Sequence, residues 1–258
     1  MADEVCAVCG GSGWKIIEKD GLSGAQRCEC VLKERGQALL RRARIPTNYA
    51  NDSFENFSNR GSDDLNHVLL TLSGYCKEFP NVDPPGLLFT GETGTGKTHL
   101  AVAVLKRLIE HGFEGGLFFD YQNLLERIRS GYDPLSGESP REAYEEALEA
   151  KILVLDDLGA HRVTDWVEDT VTSVITYRYN ARMPTIVTTN VPDADVGDSL
   201  IERPASGSGA HHRLKRSLPE MIGLRARSRL FEMCRIIRMP RIGDYRVEKK
   251  VIRRESSH

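Results

Sequence analysis

No run of apolar residues in this sequence approaches the roughly eighteen that a membrane-crossing helix needs. The start, MADEVCAVCG, also lacks the basic residues and apolar stretch of a secretory signal, so a cytoplasmic protein with no membrane partner is the expectation. No internal repeat runs along the chain. Nor does any basic stripe carry interleaved aromatics, so the path of a bound single strand cannot be traced residue by residue. What remains is ordinary for a globular protein: 258 residues, 40 % hydrophobic and 28 % charged, enough for one large domain and a small appendage.

Net charge is close to zero at -2, but the signs are segregated. From Arg203 onward 15 Lys and Arg stand against 5 Asp and Glu, leaving -12 on residues 1–202. Such a basic end suits nucleic acid, or is a solvated surface closing in the frayed EKKVIRRESSH. The cysteines are segregated too. Cys6, Cys9, Cys28 and Cys30 fall in the first thirty residues, whereas Cys76 and Cys234 stand alone in apolar surroundings and read as core.

From Gly86 onward short apolar strands alternate with helical stretches. GLLFT, GGLFFDY, ILVLD, PTIVTT and MCRIIRM read as strands; GKTHLAVAVLKRLIEHG, QNLLERIRSG, REAYEEALEA, the stretch from Val163 to Tyr179, and a final helix over about 218–230 read as helices. This alternation predicts a parallel sheet covered by helices on both faces. Residues 31–44 read as a basic helix with a thin stripe of Leu32, Leu39 and Leu40, stopped by Pro46. Residues 203–217, RPASGSGAHHRLKRS, read as a basic loop.

Directly after the first of these strands, GETGTGKT fits G-x-x-x-x-G-K-[ST], and a helix follows. The loop consists of Gly91, Glu92, Thr93, Gly94, Thr95, Gly96, Lys97 and Thr98, with His99 next. Its glycines let backbone N–H groups turn inward around phosphates, and the helix start adds a positive dipole end. The motif assigns Lys97 to the β and γ phosphates of ATP and Thr98 to Mg²⁺. Hydrolysis needs more: a carboxylate for the metal, a group for the water and a positive charge for the transition state. KILVLDDLGA supplies two adjacent acids at a strand end. Asp156 suits the Mg²⁺ shell, and Asp157 suits orientation of the attacking water, unless it is a helix cap or an ion-pair partner. Asn190, at the end of TIVTTN, lies where ligands bind in open α/β sheets; it would hold that water or read the γ phosphate, or simply form a turn.

With GLLFTGETGTGKTHLA, ILVLDDLG, RYNARMPTIVTTN and RSRLFEMCRII in place, the chain resembles the AAA+ ATPases, and within them the DnaC/DnaI-type helicase loaders and their IstB-like relatives in transposition. The resemblance covers roughly residues 45–240. It implies a five-stranded parallel sheet with the P-loop strand central, helices on both sides, and nucleotide bound between neighbouring subunits. It makes Asn190 the sensor 1 residue and Arg229 the arginine finger of a self-associating protein, with Arg225 a second candidate. Asp157, rather than Glu, matches the loader branch. Tyr49, Phe54 and Phe57 resemble the aromatic lead-in beside the nucleotide base, and core packing explains them equally. The long basic insertion, Leu224 where relatives often carry Glu, and the scant sequence for a helical lid depart from the pattern.

The spacing Cys6-x-x-Cys9 with Cys28-x-Cys30 gives four thiolates in two pairs, suited to one tetrahedral Zn²⁺, with a redox pair or free thiols as alternatives. The resulting expectation is a zinc-binding segment over 1–30, a basic helix and linker over 31–48, an AAA+ domain over 49–240 and a basic tail over 241–258. The resemblance implies an ATP-hydrolysing loader that engages a replicative helicase and single-stranded DNA. Its rivals are an IstB-like ATPase assisting transposition and a nucleotide-gated binding module with little turnover.

Overall fold

The computed structural model describes residues 6–19, 22–59, 61–130, 140–197 and 215–241. Residues 131–139, most of the basic insertion and the tail beyond 241 lie outside these residues.

Five parallel strands form the main sheet: β3 (Gly86–Thr90), β4 (Gly116–Asp120), β5 (Ile152–Asp156), β6 (Thr185–Thr188) and β7 (Cys234–Arg238), in the order β4-β5-β6-β3-β7. The chain leaves β3 for the far edge at β4, returns through β5 and β6 to lie beside β3, and crosses to β7 on its other side. The loop-bearing strand β3 is therefore interior, between β6 and β7, while β6 holds the middle place. Side chains alternate across the sheet with period two. Leu87, Phe89, Val154 and Ile186 enter one core, and Leu88, Leu153, Leu155 and Val187 enter the other. Both faces being covered, β3 and β5 are buried along their whole length, as parallel strands require.

The first core is closed by α2 (Asp63–Glu78) and α3 (Lys97–Glu110), the second by α4 (Tyr121–Ser130), α5 (Pro140–Glu149), α6 (Asp165–Asn180), α7 (Leu218–Ile222) and α8 (Leu224–Met233). Helix α2 was not expected. The Ser62 hydroxyl caps it by accepting from the Leu65 N–H, and Leu65, Val68, Leu72, Tyr75 and Cys76 bury one stripe. The single late helix expected over 218–230 is instead two. Gly223, at φ 82, breaks them where a Cβ would lie 2.3 Å from the Glu168 carboxylate. Cys76 and Cys234 are core residues, as read from the sequence.

At the amino end, β1 (Trp14–Lys19) and β2 (Leu22–Arg27) pair as an antiparallel hairpin that leads into α1 (Glu29–Arg42). Helix α1 is docked on the sheet. The Phe118 N–H on edge strand β4 donates to the Ala43 carbonyl at 2.8 Å, Leu39 and Leu40 pack on the first core, and Arg35 and Arg44 pair with Glu114 and Glu146.

Candidate nucleotide and metal sites

The glycine loop turns from the end of β3 into α3 with Gly91, Gly94 and Gly96 all at positive φ. Gly96 shows why a side chain is excluded: its Cβ would lie 2.6 Å from the Phe57 ring. Lys97 folds back over the loop and donates to the carbonyls of Gly91 at 2.9 Å and Glu92 at 2.7 Å. Thr95 also caps the Glu92 carbonyl, at 2.9 Å, while the Glu92 and Thr93 side chains face solvent.

Strand β5 delivers Asp156 to the foot of this loop. Its Oδ1 accepts the Thr98 hydroxyl at 2.9 Å and the Thr188 hydroxyl at 2.6 Å. Burial pushes the Asp156 pKa up; the hydrogen bonds from Thr188 and Thr98 oppose that, and the charges of Asp157 and Asp120 add to it. Asp157 follows in the left-handed region at φ 57, a conformation unusual for a residue with a Cβ. Its N–H donates to Thr188 Oγ1 at 2.9 Å, and the Asn190 side-chain amide donates to its carboxylate. Lys97, Thr98, Asp156, Asp157 and Asn190, drawn from the ends of β3, β5 and β6, thus lie together at the carboxyl edge of the sheet. A buried acid held by hydroxyls, next to an amide-rich anion cradle, can share a hard divalent cation with phosphate oxygens.

Other expected residues sit elsewhere. His99 turns away from the loop interior: its Nε2 is 2.8 Å from the Ser53 carbonyl and its Nδ1 3.3 Å from the Asp52 carboxylate, in a buried cluster closed by Phe57, whose ring meets the imidazole edge-on at 5.1 Å. Of the aromatic lead-in, Phe57 packs on the glycine loop. Tyr49 lies 6.5 Å from Phe118, and Phe54 lies beneath Arg107. Arg229 lies on α8 against α6, donating to the Thr176 hydroxyl at 2.7 Å and lying over the Tyr179 ring, away from the two acids' own loop. Arg225 and Leu224 are exposed, Leu224 to 76 %. The neighbouring Arg227 is committed to Asp193, two contacts of 2.8 Å that hold the carboxyl below its usual range against the opposing effect of burial.

Sequence reasoning missed Thr188 and Arg178. Thr188 was signalled only by the hydroxyl pair in TIVTTN. Arg178 is fully buried and donates to Thr185 Oγ1 and to the carbonyls of Ala147, Leu148, Ala150 and Pro184, fastening the end of α5 to the start of β6.

The four amino-terminal cysteines converge, their sulfurs all within 4.8 Å of one another. A tetrahedron with zinc–sulfur bonds of about 2.3 Å separates its sulfurs by about 3.8 Å. The pairs Cys6–Cys28 at 3.9 Å and Cys9–Cys30 at 3.4 Å bracket that value, and all four are free thiols. Backbone N–H groups of Cys9 and Val8, with the Cys30 thiol, lower Cys6 to about 6, whereas the hydrogen bond from Cys9 and then burial push Cys30 up to about 12. The donor set and its spacing fit zinc.

Three comparisons with known proteins give the chain's relatives. The model of the IstB-like ATP binding protein family matches residues 29–203. The uncharacterized protein YqaM of Bacillus subtilis (strain 168) is 26 % identical over 208 residues, which is 77 % of this chain and 63 % of YqaM, under two thirds of that relative's length. The replicative helicase loader DnaC of Escherichia coli (strain K12) is 25 % identical over 196 residues, 74 % of this chain and 78 % of DnaC. A crystal structure of the DnaC helicase loader superposes with a TM-score of 0.59 at 30 % identity, over 76 % of this chain and 100 % of that one. The crystal structure of DnaI, at a TM-score of 0.57 and 19 % identity over 78 % of this chain and 94 % of that one, shares the fold. Because the family match runs from the start of α1 through the glycine loop and both acids to beyond β6, the chain belongs to the IstB-like ATP binding protein family of AAA+ ATPases.

Proposed function

We propose that this protein hydrolyses ATP and acts as a helicase-loader-like factor in DNA replication, engaging a replicative helicase and single-stranded DNA. The observation that carries the reading is the meeting of Lys97, Thr98, Asp156, Asp157 and Asn190 at one sheet edge. Lys97 steadies the β and γ phosphates, Thr98 and Asp156 hold Mg²⁺, and Asp157 with Asn190 orients the attacking water. Arg229 completes the site of a neighbouring copy by stabilising charge on the transferring phosphoryl group, which requires it to leave Thr176. Self-association therefore accompanies turnover. The cysteine head holds Zn²⁺ and, with α1, engages the helicase; the basic carboxyl-terminal third contacts DNA. The likeness to DnaC, named as a replicative helicase loader, supports this reading.

A second reading, an ATPase that delivers DNA to a transposase, is favoured by the IstB-like family match. An affinity pull-down from the source cell with ATP-bound full-length protein separates the two. Recovery of a hexameric helicase is the expected outcome, and recovery of a transposase instead overturns the loader assignment. A protein whose head is removed (residues 1–44) is expected to lose the helicase; retention would remove the docking role from the head.

A further inference from the structure

We infer that Thr188 is a positioning residue that sets the geometry of both acids with a single hydroxyl. The inference rests on the proposed ATPase reading of Asp156 and Asp157. Thr188 ends β6, the strand beside β5, and its side chain is buried. Its hydroxyl donates its one proton to Asp156 Oδ1 at 2.6 Å and accepts the Asp157 N–H at 2.9 Å, so one atom is hydrogen-bonded to two successive residues. The backbone on either side locks the pairing: the Leu158 N–H donates to the Thr188 carbonyl at 2.8 Å, and the Thr189 hydroxyl donates to the Leu158 carbonyl at 2.8 Å. Asp157 sits between these anchors at φ 57, a conformation that a non-glycine residue holds only when its surroundings fix it.

The consequence is a division of labour between two threonines. Thr98 and Thr188 donate to the same oxygen of Asp156, but Thr98 is the residue that the loop motif assigns to Mg²⁺. Thr188 is the donor that holds Asp156 whichever way Thr98 turns. It also ties the metal-side acid to the backbone of the water-side acid, so displacement of one displaces the other.

The test uses full-length Thr188→Val, which keeps size and strand preference but removes the hydroxyl, and Thr188→Ser, which restores it. ATP binding is titrated with and without Mg²⁺, hydrolysis is followed at saturating Mg²⁺, and thermal melts are recorded. The valine variant is expected to bind ATP without Mg²⁺ within about twofold of wild type, to need about tenfold more Mg²⁺ for half-saturation, and to lose about tenfold to a hundredfold in kcat with KM little changed. Serine is expected to restore both. A valine variant with wild-type Mg²⁺ half-saturation and kcat, or a serine variant as impaired as valine, overturns the inference; Thr188→Ala deletes the hydroxyl in a second way if valine does not fold. If wild type binds Mg²⁺ and ATP without turnover, the ATPase reading falls, and the Mg²⁺ titration alone still decides the role of Thr188.

Discussion

Asp156 is only 6 % exposed and its pKa is raised, chiefly by burial, so ionisation of this carboxyl is disfavoured in the folded protein. The sign follows from linkage. A carboxyl whose folded pKa exceeds its unfolded value favours folding most at pH below the unfolded value of about 3.9, and that contribution is lost as pH rises through the folded value. Asp156→Asn cannot ionise, yet its amide oxygen can still accept from Thr98 and Thr188. We expect it to raise the melting temperature of the nucleotide-free protein by about 2 °C or more at pH 7, with the gain narrowing towards pH about 4, while Mg²⁺-dependent ATP binding is lost. Calorimetry across that pH range checks it, and a variant less stable than wild type at pH 7 would contradict the reading of Asp156 as a site held at the expense of stability. The two acids, and their place at a strand end, were visible in KILVLDDLGA. The hydroxyl that joins them was not, because it lies 32 residues beyond Asp156 and meets it only when β6 lies beside β5. His99 illustrates the same limit: its neighbours in sequence belong to the phosphate loop, but its side chain is claimed by Asp52 and Ser53.

Among the elements, β3, α3, β4, β5 and β6 were legible because strand length, helix period and punctuation agree in each. Helix α2 was not. Its apolar stripe follows the Ser62 cap and lies ahead of Gly86, where the strand–helix alternation read from the sequence begins. The hairpin of β1 and β2 was hidden for another reason: its apolar residues do not build a core, and Ile16 is 81 % exposed, so no burial pattern marks it. A zinc ion held by the four cysteines would then be the staple. We expect one zinc per chain, and chelation should release amide-exchange protection across residues 6–30 while leaving β3–β7 protected; protection of the hairpin that survives both chelation and Cys28→Ser would contradict a zinc-dependent fold. Arg178 is the opposite case, a charge buried to hold elements together. Burial lowers its pKa to about 10, still well above neutrality, and its guanidinium serves four carbonyls and one hydroxyl. Arg178→Met should leave these carbonyls unpaired and cost at least about 3 kcal/mol, a fall of roughly 6 °C or more in melting temperature. A melt unchanged within about 1 °C would show that the network is dispensable.

At the scale of the whole molecule, the parallel sheet gathers the loop, the acids and Asn190 on one edge, while α1 ties the cysteine head to edge strand β4 through a main-chain hydrogen bond and flanking ion pairs. Arg229 belongs to this scale as well. It lies on α8 against α6, where it donates to the Thr176 hydroxyl. The resemblance singles it out as a candidate, whereas helical spacing alone reads it as a surface arginine. The central claim, that the paired acids belong to an ATPase and not to a nucleotide-gated switch, is tested most directly by steady-state ATP hydrolysis, with and without single-stranded DNA, on wild type and Asp157→Asn, alongside ATP affinity. The account predicts measurable turnover in wild type and a loss of about a hundredfold or more in kcat for Asp157→Asn at unchanged affinity. Equal rates in the two proteins, or tight ATP binding by wild type with no turnover in either condition, would contradict it.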